Sequence, residues 1–403
     1  MAPIVISSGP PRATAAVPAH IHIFSPGDHY SPSTGSSSPT CIYELARQHQ
    51  AHGGHTRVIV GRGANLGYPP YPVGEVVEVD YKPFPARKMR AVDAGLGAIG
   101  LPRPAKWASH AAACDAIPPD FAGWVISHGE AGFIRQLRRA RPRAKILLYC
   151  HFCLFPWYTR AEVRRVIRDV DALACVSTYI ADYVTGKAGL RPDNLGVVLN
   201  GVDAERFSPA AAPAGEHQIL YVGRVHPDKG VHLLAAAALL LHARGRKFRL
   251  RVVGGQLLAD GVPLSDYERQ VREMAEPLGA AAEFVPFVPR SRLPDTYREA
   301  SIACVPSTWG EPFNLVLAEA LASGLPVVSS DRGALPEVAA GAALFFSPPD
   351  AGQLADQLER LLLDENLRRT MGQAARKRGE ELSWACTYEN LTALMARCTR
   401  GAG

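Results

Sequence analysis

Within Pro306-Ser-Thr-Trp-Gly-Glu-Pro-Phe-Asn-Leu-Val-Leu-Ala-Glu-Ala-Leu-Ala-Ser-Gly-Leu-Pro-Val327, two carboxylates, Glu311 and Glu319, stand eight residues apart. An apolar run ending at Val305 feeds this loop, and Pro312 sits where a helix can begin without losing a hydrogen bond. The first turn of such a helix offers free backbone N–H groups, from Asn314 and Leu315, and its dipole favours a phosphate. Eight helical residues rise about 12 Å, too far for the two acids to share one scissile bond as in a glycosidase. They suit a long ligand, with one acid on each side of a diphosphate. A nucleotide sugar has that shape, although the spacing alone is equally compatible with two solvated helix carboxylates.

Cations with matching chemistry lie upstream. Gly223-Arg224 is followed by Lys229-Gly230 just after an apolar run, and an arginine fork beside a lysine point charge suits a dianionic leaving group. Farther back, Asn200-Gly-Val-Asp203 is followed by Phe207 and Pro209. With the Glu-x7-Glu segment, these three patterns resemble glycosyltransferase family 4, retaining enzymes of the GT-B fold, and the likeness extends over most of the chain. The resemblance implies that Arg224 and Lys229 hold the donor diphosphate. It places Gly223 and the backbone at Asn314 and Leu315 over that diphosphate, Glu319 on the ribose hydroxyls and Glu311 on the donor sugar. Many members have glycine where Asn314 stands.

In the first half, His151 follows the run Lys145–Tyr149 and matches the family's histidine facing the donor sugar. His128 resembles a second cleft-facing histidine, and a core or capping role is equally open to it. Ser177 reads as a helix cap. Members commonly carry Gly-Gly after the first strand, whereas this chain has Ser33-Thr-Gly-Ser-Ser-Ser-Pro39, so Gly35 and Ser36 are the donor-contact candidates there. Cys150-His-Phe-Cys153 has no second ligand pair with finger spacing, and no Asp-x-Asp clamp occurs, so neither a metal nor a cofactor is expected. Aromatic and basic residues at Tyr81–Lys106 and Trp107, and Phe155, Trp157 and Tyr158, could receive an acceptor or simply form surface and packing.

Two sets of elements must position these groups. Apolar runs at His20–Phe24, Arg57–Val60, Gly123–Ile126, Lys145–Tyr149, Ala172–Val176 and Leu195–Leu199 alternate with helical patterns. So do runs at Gln218–Val222, Phe248–Val253, Ala282–Val285, Ile302–Val305, Pro326–Ser329 and Ala343–Phe346. Such alternation predicts an α/β protein of two doubly wound, Rossmann-like parallel sheets, with ligands in the cleft beyond the strands' carboxyl ends. The predicted division is a loose leader at 1–17, an acceptor-side domain at 18–204, a linker at 205–216, a nucleotide-sugar domain at 217–382, and a last helix at 383–403 that could cross back.

Length and composition agree. The 403 residues exceed what one core usually serves, and 47% apolar with 20% charged residues excludes a disordered chain. The longest strongly apolar run, Leu233–Leu241, is about half of a bilayer span, and Met1–Arg12 lacks a secretory pattern, so the expected location is cytoplasmic. The excess of positive charge falls in the first half, with clusters at Arg135–Lys145 and Arg160–Arg168. This charge could be a solvated face, or could attract an anionic acceptor or an acidic membrane surface; nothing accompanies it that reads nucleic acid. The expected activity is metal-independent, retaining transfer of a sugar from a UDP- or GDP-sugar to a glycan, lipid or small natural product. A nucleotide-sugar epimerase of the same architecture and a non-catalytic nucleotide-sugar-binding protein are the alternatives. Nucleotide base, sugar, acceptor and oligomeric state are not specified by the sequence.

Overall fold

The computed structural model describes residues 17–23, 28–63, 67–82, 87–101, 103–210, 217–255 and 263–400. Almost all of the leader, residues 211–216 of the linker, and Phe84 lie outside the described residues. Seven strands form the first sheet: β1 (His20–Ile23), β2 (Thr56–Gly61), β3 (Glu75–Val79), β4 (Trp124–His128), β5 (Lys145–Cys150), β6 (Ala172–Cys175) and β7 (Leu195–Val197). Six form the second: β8 (Gln218–Val222), β9 (Arg249–Val253), β10 (Ala282–Val285), β11 (Ile302–Val305), β12 (Val327–Ser330) and β13 (Leu344–Phe346). Their orders are 3-2-1-4-5-6-7 and 10-9-8-11-12-13, and the pairings are parallel throughout. The two doubly wound α/β sheets expected from the alternation are therefore present.

Central parallel strands are covered on both faces, which is why β4, β6 and β11 are buried along their whole lengths. The same covering has a consequence in β1. Its sequence alternates His-Ile-His-Ile, and all four side chains are buried, so two histidines are forced into the interior beside Trp124 and Ile126 of β4. β3 was not among the expected strands. It is an edge strand whose Glu75 and Glu78 face solvent while only Val79 is buried, so its apolar signal is weak.

Among the described residues of and after Tyr81–Lys106, Arg87–Ala98 and Pro104–Asp115 are helices, held together by Asp93, whose carboxylate accepts from the amides of Ala105 and Lys106 at 3.0 Å each. Proline at the start of the second helix is compatible with its first turn, which reconciles the Pro-broken pattern with helix.

The last helix, Trp384–Arg400, lies against the first sheet's domain. Tyr388 Oη is 2.9 Å from His49 Nδ1, Thr387 Oγ1 donates to the Leu199 carbonyl at 2.9 Å, and Arg397 donates to that of Leu195 at 2.8 Å. The chain crosses at Asn200–Asp203, where Val202 N donates to the Leu382 carbonyl at 2.6 Å. Gly201 is needed there because a Cβ would stand 2.5 Å from the Trp384 nitrogen.

Candidate functional site

A cavity of about 710 Å³ opens between the two sheets at their carboxyl ends. From the first domain come the loop after β1 and the start of helix Ser37–Ala51, with Gly35, Ser36 and Asp28, and His151 after β5. From the second come Gly223 and Arg224 after β8, Lys229, Arg290 after β10, and Glu311, Asn314, Leu315 and Glu319 after β11. All the sequence-identified residues except His128 therefore line one space.

Lys229 ends a short turn, Pro227–Lys229, held on the Glu311 loop by the Thr308 amide donating to the Asp228 carbonyl at 2.8 Å. Gly230 completes this turn with φ 69°, and a Cβ there would stand 1.8 Å from the Pro306 carbonyl oxygen. The close approach brings Lys229 Nζ to 2.7 Å from Glu311 Oε1. The same oxygen accepts from Ser307 Oγ at 2.6 Å and Asn314 Nδ2 at 3.1 Å. Glu311 is 3% exposed, so these three donors make its buried charge tolerable. Among the described residues Oε2 has no partner, which leaves it to a ligand.

Asn314 occupies φ 83°, ψ 95°, where glycine is favoured and asparagine is the best tolerated side chain. Its side chain does two jobs: Oδ1 accepts from the Leu317 amide at 3.0 Å, capping helix Leu315–Ala322, while Nδ2 holds Glu311. Replacement by alanine forces a Cβ into that backbone region and removes the cap. Both variants also lose the donor to Glu311, so we expect Asn314→Ala to lower stability by about 2–3 kcal/mol and Asn314→Gly, which avoids the backbone strain, by about 1 kcal/mol, compared by urea midpoints.

Glu319, on the second turn of that helix, is 1% exposed. Tyr297 Oη donates to its Oε2 at 3.0 Å, and Arg290 Nη2 stands 2.6 Å from Oε1. Arg290 was not identified from sequence. It follows an unremarkable Val-Pro pair in the segment after β10, and it lines the cavity only in the folded chain. Burial works against its charge, but Glu319 together with Tyr71, Tyr297 and Glu44 more than offsets it and holds the guanidinium pKa above its ordinary value. Arg224 is exposed on the cavity wall and has no ion-pair partner among the described residues.

On the opposite wall, Ser36 Oγ donates to Asp28 Oδ2 at 3.2 Å, and burial raises the Asp28 carboxyl above its ordinary pKa, opposed by the His29 amide and Ser36. Helix Ser37–Ala51 has no side-chain cap, and its first residues Ser37 and Ser38 line the cavity from this side as Leu315 and Val316 of helix Leu315–Ala322 do from the other. Two helix N-termini, Arg224 and Lys229 together favour a polyanion.

His128 does not reach the cavity wall. It is 3% exposed and stands behind His151, its Nδ1 at 2.8 Å from His151 Nε2. Ser177 accepts from the Ile180 amide at 3.3 Å as a helix cap, and its hydroxyl also donates to the Pro312 carbonyl at 2.6 Å, pinning the first domain to the Glu311 loop. Phe155 is fully buried, Tyr158 lies under the Arg103 guanidinium at 3.9 Å, and Trp157 is 77% exposed; none lines the cavity. Part of the basic excess is structural: Arg138 binds Asp171 and the Ala144 carbonyl, Arg141 the Ile117 carbonyl, and Arg164 that of Ala188. No group of three His, Cys, Asp or Glu among the described residues is placed to hold a metal, and none of the described helices is long and apolar enough to cross a membrane.

The chain matches two family models in tandem, "Glycosyltransferase Family 4" over residues 39–206 and "Glycosyl transferases group 1" over 203–378. It belongs to the family 4 glycosyltransferases of the GT-B fold. Among similar proteins, a D-inositol 3-phosphate glycosyltransferase of Nocardia farcinica is 34% identical over 243 residues, 57% of this chain and 53% of that protein. An MMP alpha-(1->4)-mannosyltransferase of Mycolicibacterium hassiacum is 31% identical over 254 residues, 60% of each. The match thus spans little more than half the length of these relatives. The fold is shared more widely. A sucrose-phosphate synthase structure from Thermosynechococcus elongatus superposes over 95% of this chain and 100% of that one, with TM-score 0.72 at 20% identity. Anabaena HepE in complex with UDP and glucose covers 93% and 99%, with TM-score 0.66 at 16% identity.

Proposed function

We propose that this glycosyltransferase takes its sugar from a nucleoside-diphosphate donor bound across the cavity and transfers it to a hydroxyl with retention of configuration. The observation that carries the reading is the convergence of Arg224, Lys229 and two helix N-termini on a space flanked by Glu311 and Glu319. HepE, of similar fold and solved in complex with UDP and glucose, supports a nucleotide ligand. In this reading the diphosphate lies against Arg224, Lys229 and the amides at the start of Leu315–Ala322, which stabilise charge as the sugar–phosphate bond loosens. Glu319, backed by Arg290 and Tyr297, accepts from ribose hydroxyls. Glu311 offers Oε2 to the sugar. The departing phosphate takes the acceptor's proton on the same face, so no side-chain nucleophile is required. The location is read as cytoplasmic, the reaction as independent of metal, and the acceptor as a glycan, lipid or small natural product.

Thermal unfolding with UDP, GDP and ADP tests the donor half of this reading. One of the three is expected to stabilise the protein by about 2.7 kcal/mol at a concentration 100 times its Kd. Glu319→Ala should abolish most of that shift. No response to any nucleoside diphosphate would overturn the reading.

A further inference from the structure

Behind the cavity wall three imidazoles form one hydrogen-bonded row. His22 Nδ1 lies 2.8 Å from His128 Nε2, and His128 Nδ1 lies 2.8 Å from His151 Nε2. The ring planes are nearly parallel in succession, with interplanar angles of 17° and 14°. The row starts on β1, passes the carboxyl end of β4 and finishes after β5 at the cavity. His22 is fully buried and His128 nearly so. Burial, reinforced by the neighbouring histidines for His22 and His128, holds all three well below the ordinary imidazole pKa, with His22 at about 3 and His151 at about 4, so the row is neutral near pH 7.

A neutral imidazole has one N–H and one lone pair. Each link in the row needs one of each, so only two orderings exist: every ring protonated on Nδ1, or every ring on Nε2. The two ends decide between them. His22 Nε2 is buried and has no partner among the described residues. With protonation on Nδ1 this atom is a bare lone pair, whereas with protonation on Nε2 it is an orphaned buried N–H, the rarer and costlier outcome.

We infer that His22 and His128 are positioning residues that lock His151 in the Nδ1–H tautomer, so that it presents a hydrogen-bond donor to the cavity. Resting on the transferase reading, its partner is an oxygen lone pair of the donor's sugar or phosphate. The position of the proton itself does not depend on that reading.

The test is long-range 1H–15N correlation spectroscopy of the full chain labelled on histidine nitrogen, with each ring assigned from its own variant. In the parent protein His151 is expected to show a protonated Nδ1 and a bare Nε2. His22→Asp sets a carboxylate, which only accepts, against His128 Nε2, so both links reverse and the His151 proton moves to Nε2. Turnover of the stabilising nucleotide sugar in His22→Asp should fall about tenfold with KM unchanged, the size of one lost hydrogen bond. A proton on Nε2 of His151 in the parent, or an unmoved His151 proton in His22→Asp, would overturn the inference. Should His22→Asp fail to fold, the parent spectrum still decides. A locked Nδ1–H with no turnover of any nucleotide sugar would instead sink the transferase reading and leave the row standing.

Discussion

Lys229→Ala is expected to lower donor turnover by about 100- to 1000-fold, the loss typical when one preorganised charge-stabilising donor is removed. The geometry argues for an effect of this size. Lys229 Nζ is the only ammonium among the described cavity-lining residues, and it is fixed from three sides: by Glu311 at 2.7 Å, by the Trp309 ring at 5.2 Å, and by the turn that Gly230 closes against Pro306. A group so held costs little reorganisation as charge develops. Its removal also leaves Glu311 with two donors in place of three, so Lys229→Ala should lose some stability as well as rate. Lys229→Met combined with Glu311→Gln separates the two effects, because it removes both charges together and should regain most of the stability while staying slow. Turnover measured with UDP-glucose, GDP-mannose and ADP-glucose, alongside urea midpoints, checks both. Parent-like turnover in Lys229→Ala would remove Lys229 from the chemistry.

Acid should unfold this protein early. His22 falls to about pKa 3 because it is buried, and His20, His49, His128 and His151 are lowered too, chiefly by burial. In the unfolded chain these rings titrate near 6.5. Below that pH the unfolded state binds protons that the folded state refuses, so the stabilisation is complete above pH 6.5 and drains as pH falls toward the folded values. Each ring contributes about 1.4 kcal/mol per pH unit in that window, which for His22 alone makes about 2 kcal/mol between pH 6.5 and 5. Urea midpoints should therefore drop steeply from pH 7 to 5, and His22→Phe should show a shallower slope, by about one proton. A midpoint that holds constant over this range would contradict neutral burial of the row.

What was legible in the sequence was whatever depends on local pattern. Alternating apolar runs and helical stretches report burial on both faces of parallel strands, so twelve of the thirteen strands and the two-sheet architecture could be read directly; β3 escaped because an edge strand with outward glutamates has little apolar signal. The cavity residues at Gly223–Gly230 and Glu311–Glu319 were legible because turns that favour glycine and the motif around Pro312 leave marks at fixed spacing, although the helix expected to begin at Pro312 starts only at Leu315, capped by Asn314. The tertiary structure decided what depends on approach between distant segments. Arg290 meets Glu319, Glu311 gathers Lys229, Ser307 and Asn314, and His22, 106 residues from His128, enters a row with it, through packing that no local spacing encodes. Sequence periodicity fixes which face of an element is buried; only the packed fold determines which buried polar groups find one another, and for a charge or a proton that choice sets its chemistry.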